Sequence, residues 1–381
     1  WENTLAYTKT FGIHGIDFVG GISSQENTFR QLNTTGTGLL SNELRNIGSL
    51  NTLIATGNQQ TWSLASQFAR LQYKLTDKYI ITGTVRRDGS SRFGPGKQWG
   101  VFPSIGVAWN VSQESFMANS KVFDNLKIRG SWGTAGNQNI GLFQYDATYG
   151  TGPSVRDNRG YVFGTNKAYQ QGLALNGLAN QNLTWETSIQ SNIGLDASIL
   201  NNRINFTADY YVRESSDFLL DVPVPAQTGY TTATRNVGSI RNSGLELALE
   251  YRESLTAFKW AVAGNITTIK NEILSFTDGV TAVGNFSNAL GFQNYGGNIW
   301  TAYSQSRVGG NIGAFYGFRT DGIYQTKAEV DAVNASAKAK YGTTAFYQNT
   351  LTSPGDRRFV DVNGDGRITD ADREIIGTPI P

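Results

Sequence analysis

The 381-residue sequence has no cysteine, one histidine, one methionine and only 8 prolines. Without cysteine there is no disulfide, no thiol nucleophile and no thiolate zinc site. The single histidine, His14, excludes a histidine-based metal centre and a Ser-His-Asp triad built within the chain. Charge is scarce as well: Asp, Glu, Lys and Arg make up 16% of residues, against about 25% in an ordinary soluble domain. The charges nearly cancel, at +2, so the balance implies no pull toward nucleic acid or anionic lipid. No run approaches the roughly 18 consecutive apolar residues of a membrane-spanning helix. A soluble protein meets that condition, and so does a transmembrane barrel, whose strands alternate. The start at Trp1 shows no charged segment leading into an apolar run, so the sequence reads as an internal piece of a longer chain.

What is present is glycine, 44 residues, and aromatics, 12%. The hydrophobic pattern has period two. Ile204, Phe206, Ala208, Tyr210 and Val212 alternate with Asn205, Thr207, Asp209, Tyr211 and Arg213. Residues 126–132, 187–199 and 245–252 repeat the pattern, the last setting Leu245, Leu247, Leu249 and Tyr251 against Glu246, Ala248, Glu250 and Arg252. Successive side chains of a strand point to opposite faces, so these are half-apolar strands. Short turns are expected at 76–78, 201–202 and 253–256, and long polar connections at 88–98, 134–184, 214–240 and 271–298, with an intermediate link at 110–124. Short turns on one side and long loops on the other suit a bacterial outer-membrane barrel, as do strands of about 9–11 residues. The expected fold is therefore all-β: part of an antiparallel transmembrane barrel with periplasmic turns and extracellular loops. Residues 1–310 would supply strands and loops. Residues 311–381 would form a loop region of the same domain, with a helix near Lys327–Lys340. A sandwich buries one face of its strands and gives the same alternation. Exposure or burial of Ile204, Phe206, Leu247 and Leu249 separates the two.

One motif carries metal chemistry. Asp361, Asn363, Asp365, Arg367, Thr369 and Asp372 stand at positions one, three, five, seven, nine and twelve of a calcium-loop spacing, with Gly366 at six. Side-chain oxygens, the Arg367 carbonyl and the closing Asp372 carboxylate would hold a structural calcium ion. Asp in place of Glu at position twelve argues against a conformational switch. Asp, Asn and Gly also favour turns without any metal. Elsewhere, Arg87, Asp88 and Arg92 would pair at a loop base or face a ligand. Tyr230, Phe286, Tyr295 and Trp300 would stack on sugar rings or pack loops together. Glu246 and Glu250 share a strand face, which a polar barrel interior explains without catalysis. No enzyme is expected.

Several segments resemble, in order, the SusC/RagA-type branch of TonB-dependent outer-membrane transporters. They are Arg86–Gly94 (RRDGSSRFG), Trp99–Asn110 (WGVFPSIGVAWN), Leu126–Gly141 (LKIRGSWGTAGNQNIG), Asn236–Glu250 (NVGSIRNSGLELALE), Gly313–Gly317 with Asp321–Gln325, and Pro354–Pro381. The resemblance implies a barrel of about 22 strands around a plug, energy coupling through TonB, a SusD-like surface lipoprotein as lid, and import of glycans or peptides across the bacterial outer membrane. It places the chain in the second half of the barrel, without the plug, the TonB box or the last strands. The alternative from another class is a secreted, calcium-dependent β-sandwich that binds carbohydrate as an adhesin.

Overall fold

The computed structural model describes all residues except 40, 44–45, 119, 121, 152–159, 166–167, 231, 254–257, 277–281, 285–303 and 380–381. Its strands are β1 (Glu2–Phe11), β2 (His14–Leu39), β3 (Leu50–Leu75), β4 (Tyr79–Ser90), β5 (Trp99–Asn110), β6 (Phe123–Asn137), the short β7 (Tyr149–Thr151), β8 (Gly160–Phe163), β9 (Ala168–Gln171) and β10 (Leu173–Leu175), then β11 (Glu186–Ile199), β12 (Ile204–Pro223), β13 (Thr232–Glu253) and β14 (Trp260–Ser275). The ten long strands form one sheet in chain order, β1 to β6 and then β11 to β14. Its two edges, β1 and β14, are not paired with each other, so the sheet stays open. From β1 to β12 each neighbour runs antiparallel.

The chain divides into two units, Trp1–Val237 with Ser243–Thr268, and Gly238–Asn242 with Ile269–Pro381. In the first, register places like with like. Ile81 is opposite Val107, Trp109 opposite Ile128, and Ile193 opposite Gly130 and Tyr210. The alternate positions pair Gln72 with Thr82, Ser131 with Asn192, and Asn192 with Tyr211. One face is thus apolar and the other polar across these paired strands. Leu249 is 54% exposed, and Ile204, Phe206 and Leu247 are half-exposed. Among the described residues no second sheet covers them, which removes the sandwich reading.

One set of connections is tight. Gly12 turns β1 into β2 at φ +61, Thr76 and Asp77 sit near φ +54, and Leu200–Asn202 form a left-handed run. Asn, Asp and Gly tolerate that region best. At the opposite end the strands overrun expectation. β12 and β13 leave only residues 224–231 between them, where a connection over 214–240 was expected. The reason is that strand pairing needs only a backbone partner, so the polar residues past the apolar band stay in register. β2 and β3 carry this furthest. They pair from His14↔Leu75 to Leu39↔Leu50, whereas β1 stops at Ser23 and β4 at Leu64. Beyond those points they stand as a two-stranded ribbon about 50 Å long at about 3.4 Å per residue.

The second unit holds β15 (Ala282–Gly284), β16 (Ser304–Arg307), β17 (Ala314–Phe318), β18 (Thr320–Ile323), α1 (Lys327–Tyr341), β19 (Arg357–Phe359) and β20 (Arg373–Gly377). β15, β16, β17 and β20 make one small sheet, and β18 pairs with β19. The helix begins where the sequence places it. The Thr326 hydroxyl accepts from the Glu329 N–H, and Lys327 pairs with Asp331 at 2.7 Å. Gly342 ends it at φ +101. Tyr324, Val330, Ala337 and Ala345 are buried in this unit.

Candidate functional site

The apolar face of the first unit is bounded by aromatic side chains at both ends. At the tight-turn end, Tyr79 and Trp109 are cross-strand partners, and Tyr251 packs on Trp260 with centroids 5.1 Å apart. At the other end the Arg87 guanidinium lies 4.3 Å over the Trp99 ring. Between the two rows Ile105 and Val107 are each 50% exposed and Ile193 is 60% exposed. A water-facing sheet has no use for such a band, but a lipid-facing one requires it.

Several charges of the polar face are paired. Arg129 reaches Asp196 at 3.1 Å and Asp209 at 2.6 Å, and Lys74 meets Asp17 at 3.0 Å. Arg86 contacts both Asp88 oxygens and the Ser66 hydroxyl. Gly194 makes the Arg129 arrangement possible: a Cβ there would lie 2.5 Å from Asp209 Oδ1 and 2.7 Å from the Arg129 guanidinium carbon. The uncharged remainder is hydroxyls and amides. Gln72, Thr82, Ser131 and Asn192 line a recess of about 270 Å³ beside Arg129. Glu250, on this face, pairs with Arg252 at 2.7 Å and has no arrangement suited to acid–base work.

The loops at the wide end fold onto one another through a small core. Phe93, Phe102, Ile140, Leu183 and Trp185 are buried together, with Leu64 and Leu219 against them. The Trp185 indole donates to the Gln98 carbonyl, and its ring packs edge-on against Phe102 at 5.4 Å. This resolves the Arg86–Gly94 segment. Arg87 faces outward on Trp99, Asp88 is held by Arg86, and Arg92 lies over Trp62 while donating to the Ile140 carbonyl. All three act in structure. Tyr230 donates to the Leu175 carbonyl at 3.4 Å and so packs loop on loop, whereas Phe286, Tyr295 and Trp300 lie outside the described residues. The Phe93–Trp185 core joins positions about 90 residues apart, and no local pattern in the sequence announces it.

The acidic loop of the second unit is closed on its own backbone. Asp361 accepts from the N–H groups of Gly364, Asp365 and Gly366, Asn363 from that of Asp365, and Asp365 from that of Arg367. Asp372 is fully buried and accepts from the N–H groups of Val362, Asn363 and Thr369. Burial would raise its carboxyl, but those donors outweigh burial and hold it below the usual carboxylate range. Thr369 caps the short 3-10 turn Asp370–Asp372, and Arg367 lies over the Tyr341 ring at 5.1 Å. The Asp365 carbonyl accepts from Lys340 and Tyr341 of α1. Among the described residues no group of three or more His, Cys, Asp or Glu side chains stands ready to hold a metal. The six expected ligand residues are gathered in one loop. Asp361 Oδ1 already accepts from two N–H groups, whereas Asp361 Oδ2, Asn363 Oδ1 and Asp365 Oδ1 each accept from one and retain lone-pair capacity, and hard oxygen donors are what calcium takes.

A sheet with one lipid-facing and one polar face, with tight turns at one end and packed loops at the other, is a stretch of transmembrane β-barrel wall. A family profile described as "TonB dependent receptor-like, beta-barrel" matches residues 1–367, and the chain belongs to that family. TonB-dependent receptor P3 of Formosa agariphila is 31% identical over 385 residues, covering 100% of this chain and 36% of that protein. TonB-dependent receptor SusC of Bacteroides thetaiotaomicron is 32% identical over 324 residues, 83% of this chain and 28% of that protein. The RagAB peptide transporter structure superposes with a TM-score of 0.70 at 24% identity, covering 84% of this chain and 33% of its own, and supports the fold alone. The protein is thus a TonB-dependent receptor-like barrel of the outer membrane, similar to SusC in sequence and to RagA in fold, and its relatives are receptors and transporters rather than enzymes. The chain spans about a third of the length of the curated relatives it matches.

Proposed function

We propose that this chain forms part of the wall of a TonB-coupled importer that takes up oligosaccharides, working with a SusD-like surface lipoprotein. The observation that carries the reading is the polar face. Arg129 is neutralised there by Asp196 and Asp209, and apart from Lys127 the polar groups lining the recess beside it are hydroxyls and amides. Such a wall suits a neutral polyol passing along it better than a charged ligand. RagAB, which shares the fold, is a peptide transporter, so peptide import is the second reading. Uptake of labelled neutral oligosaccharides and of peptides by cells carrying the full-length transporter and its lipoprotein separates the two. Oligosaccharide uptake that stops without TonB supports the proposal; peptide uptake alone overturns it.

We further infer that the loop from Asp361 to Asp372 takes a structural calcium ion through Asp361, Asn363, Asp365, the Arg367 carbonyl, Thr369 and Asp372. The spacing supports it, with Asp361, Asn363, Asp365, Arg367, Thr369 and Asp372 at the ligand positions and Gly366 at six. Millimolar calcium is expected to raise the melting temperature of the full-length protein, and Asp365→Ala to remove the rise. No rise, or one unchanged in Asp365→Ala, sinks the inference.

A further inference from the structure

The connection from β5 to β6 is the longest at the tight-turn end, and it does not continue the line of the wall. Glu114 accepts hydrogen bonds from the Tyr79 hydroxyl at 2.6 Å and the Trp109 indole N–H at 3.1 Å, and pairs with Lys78 at 3.2 Å. Tyr79 and Trp109 stand on the apolar face, in register with each other and two residues from the Ile81–Val107 pair. A carboxylate reached by both rings lies on that same side. Val111–Ala118, two short 3-10 turns, is therefore folded over the lipid-facing side of the wall at its tight-turn rim. Val111, buried at 6% exposure, fastens its start. Phe116, two residues beyond Glu114, is 68% exposed, and the chain re-enters β6 through Val122 and Phe123, at 61% and 36%. Phe123 is in register with Ile199, another position of the apolar face.

We propose that this connection is an interfacial lipid anchor, with Phe116, Val122 and Phe123 inserted at the headgroup–acyl boundary of the periplasmic leaflet. Continuity favours lipid as the occupant. The segment hangs from Tyr79 and Trp109, members of the aromatic row that already meets that boundary. Its polar groups are prepared for the position. The N–H groups of Glu114, Met117 and Ala118 bond the carbonyls of Val111, Glu114 and Ser115, as a backbone at the edge of hydrocarbon requires. The one charge between Val111 and Ala118 is Glu114, and Lys78 faces it. Its three donors, led by the Tyr79 hydroxyl, hold the carboxyl below its usual range, so it stays an acceptor at neutral pH.

The experiment uses the full-length transporter reconstituted in vesicles of phosphatidylethanolamine and phosphatidylglycerol. The chain has no cysteine of its own, so a nitroxide at Phe116→Cys reports one place within it. Power-saturation measurements compare collisions with oxygen and with a water-soluble nickel chelate, with Ile81→Cys as the mid-wall reference and Lys97→Cys as the aqueous one. The label at 116 is expected to favour oxygen, at a depth between the two references. Adding Glu114→Ala should move it to the aqueous value. Nickel accessibility at 116 equal to that at 97 overturns the proposal, because the segment then lies in water. Low accessibility to both reagents overturns it too, because protein rather than lipid then covers the site.

Discussion

The sheet of the first unit and the loop region of the second hold themselves together by opposite means. In the sheet, large apolar side chains such as Ile193 and Leu249 are exposed, and order comes from the strand ladder and its register. A lipid phase replaces the core that a water-soluble sheet would need. In the second unit the strands are short, and order comes from side-chain oxygens turned onto backbone N–H groups, as in Asp361 and Asp372. One region is robust to loss of any single side chain on its outer face, while the other concentrates its stability in a few carboxylates. The Phe93–Trp185 cluster is the exception within the first unit, a soluble-type core of five residues at the loop end.

The largest expected effect follows from that exception. Trp185→Ala should cost about 3–5 kcal/mol, the usual loss for a buried aromatic, and open the 138–185 connection to protease while the heat-modifiable barrel persists on gels. If cleavage there is unchanged, the loop core is not what orders the wide end. Next, Asp372→Ala leaves three partly buried N–H groups without their carboxylate acceptor, at about 1–3 kcal/mol in all because two of them can turn to water. Hydrogen exchange should rise across 361–372 and stay flat in β4 and β5.

The Asp372 carboxyl also gives this contrast a pH dependence. Its folded value lies below the unfolded one, near 3.9. Its stabilising contribution is therefore complete above that unfolded value and is lost as pH falls through the folded value. Exchange in 361–372 should rise selectively below about pH 4, and equal acid sensitivity in the wall would blur the distinction between the units. A smaller effect is expected from Gly194→Ala, which should cost about 1–3 kcal/mol by crowding Arg129 against Asp209, visible as a lower unfolding midpoint in detergent. The smallest is Arg87→Ala, about 0.5–1 kcal/mol for an exposed cation–π contact; a larger shift in the same melt would mean the outer rim carries more of the wall than the ladder does.

Much of the wall was legible in the sequence because period two is a local signal. Strands β6, β11, β12 and the end of β13 lie where Leu126, Ile193, Phe206 and Leu247 alternate with polar neighbours. The helix was legible through its Ala- and Lys-rich run between Thr326 and Gly342. The ribbon of β2 and β3 was not, because Asn, Thr and Gln alternate with one another there and no apolar period remains. The metal-type loop was readable as a spacing. Its closure onto the Thr369 and Val362 N–H groups was not, since that depends on backbone direction.

What the sequence alone determined is which residues of each strand share a face, and hence that one face is apolar and the other polar, because alternation is a property of single strands. What only the tertiary structure decided is what those faces carry between strands. Gly194 gives room to Arg129, Phe93 finds Trp185, and Glu114 draws its connection over the apolar rim. Each of these joins positions that are distant along the chain or on opposite sides of a turn, so register and loop direction had to be set before they could meet.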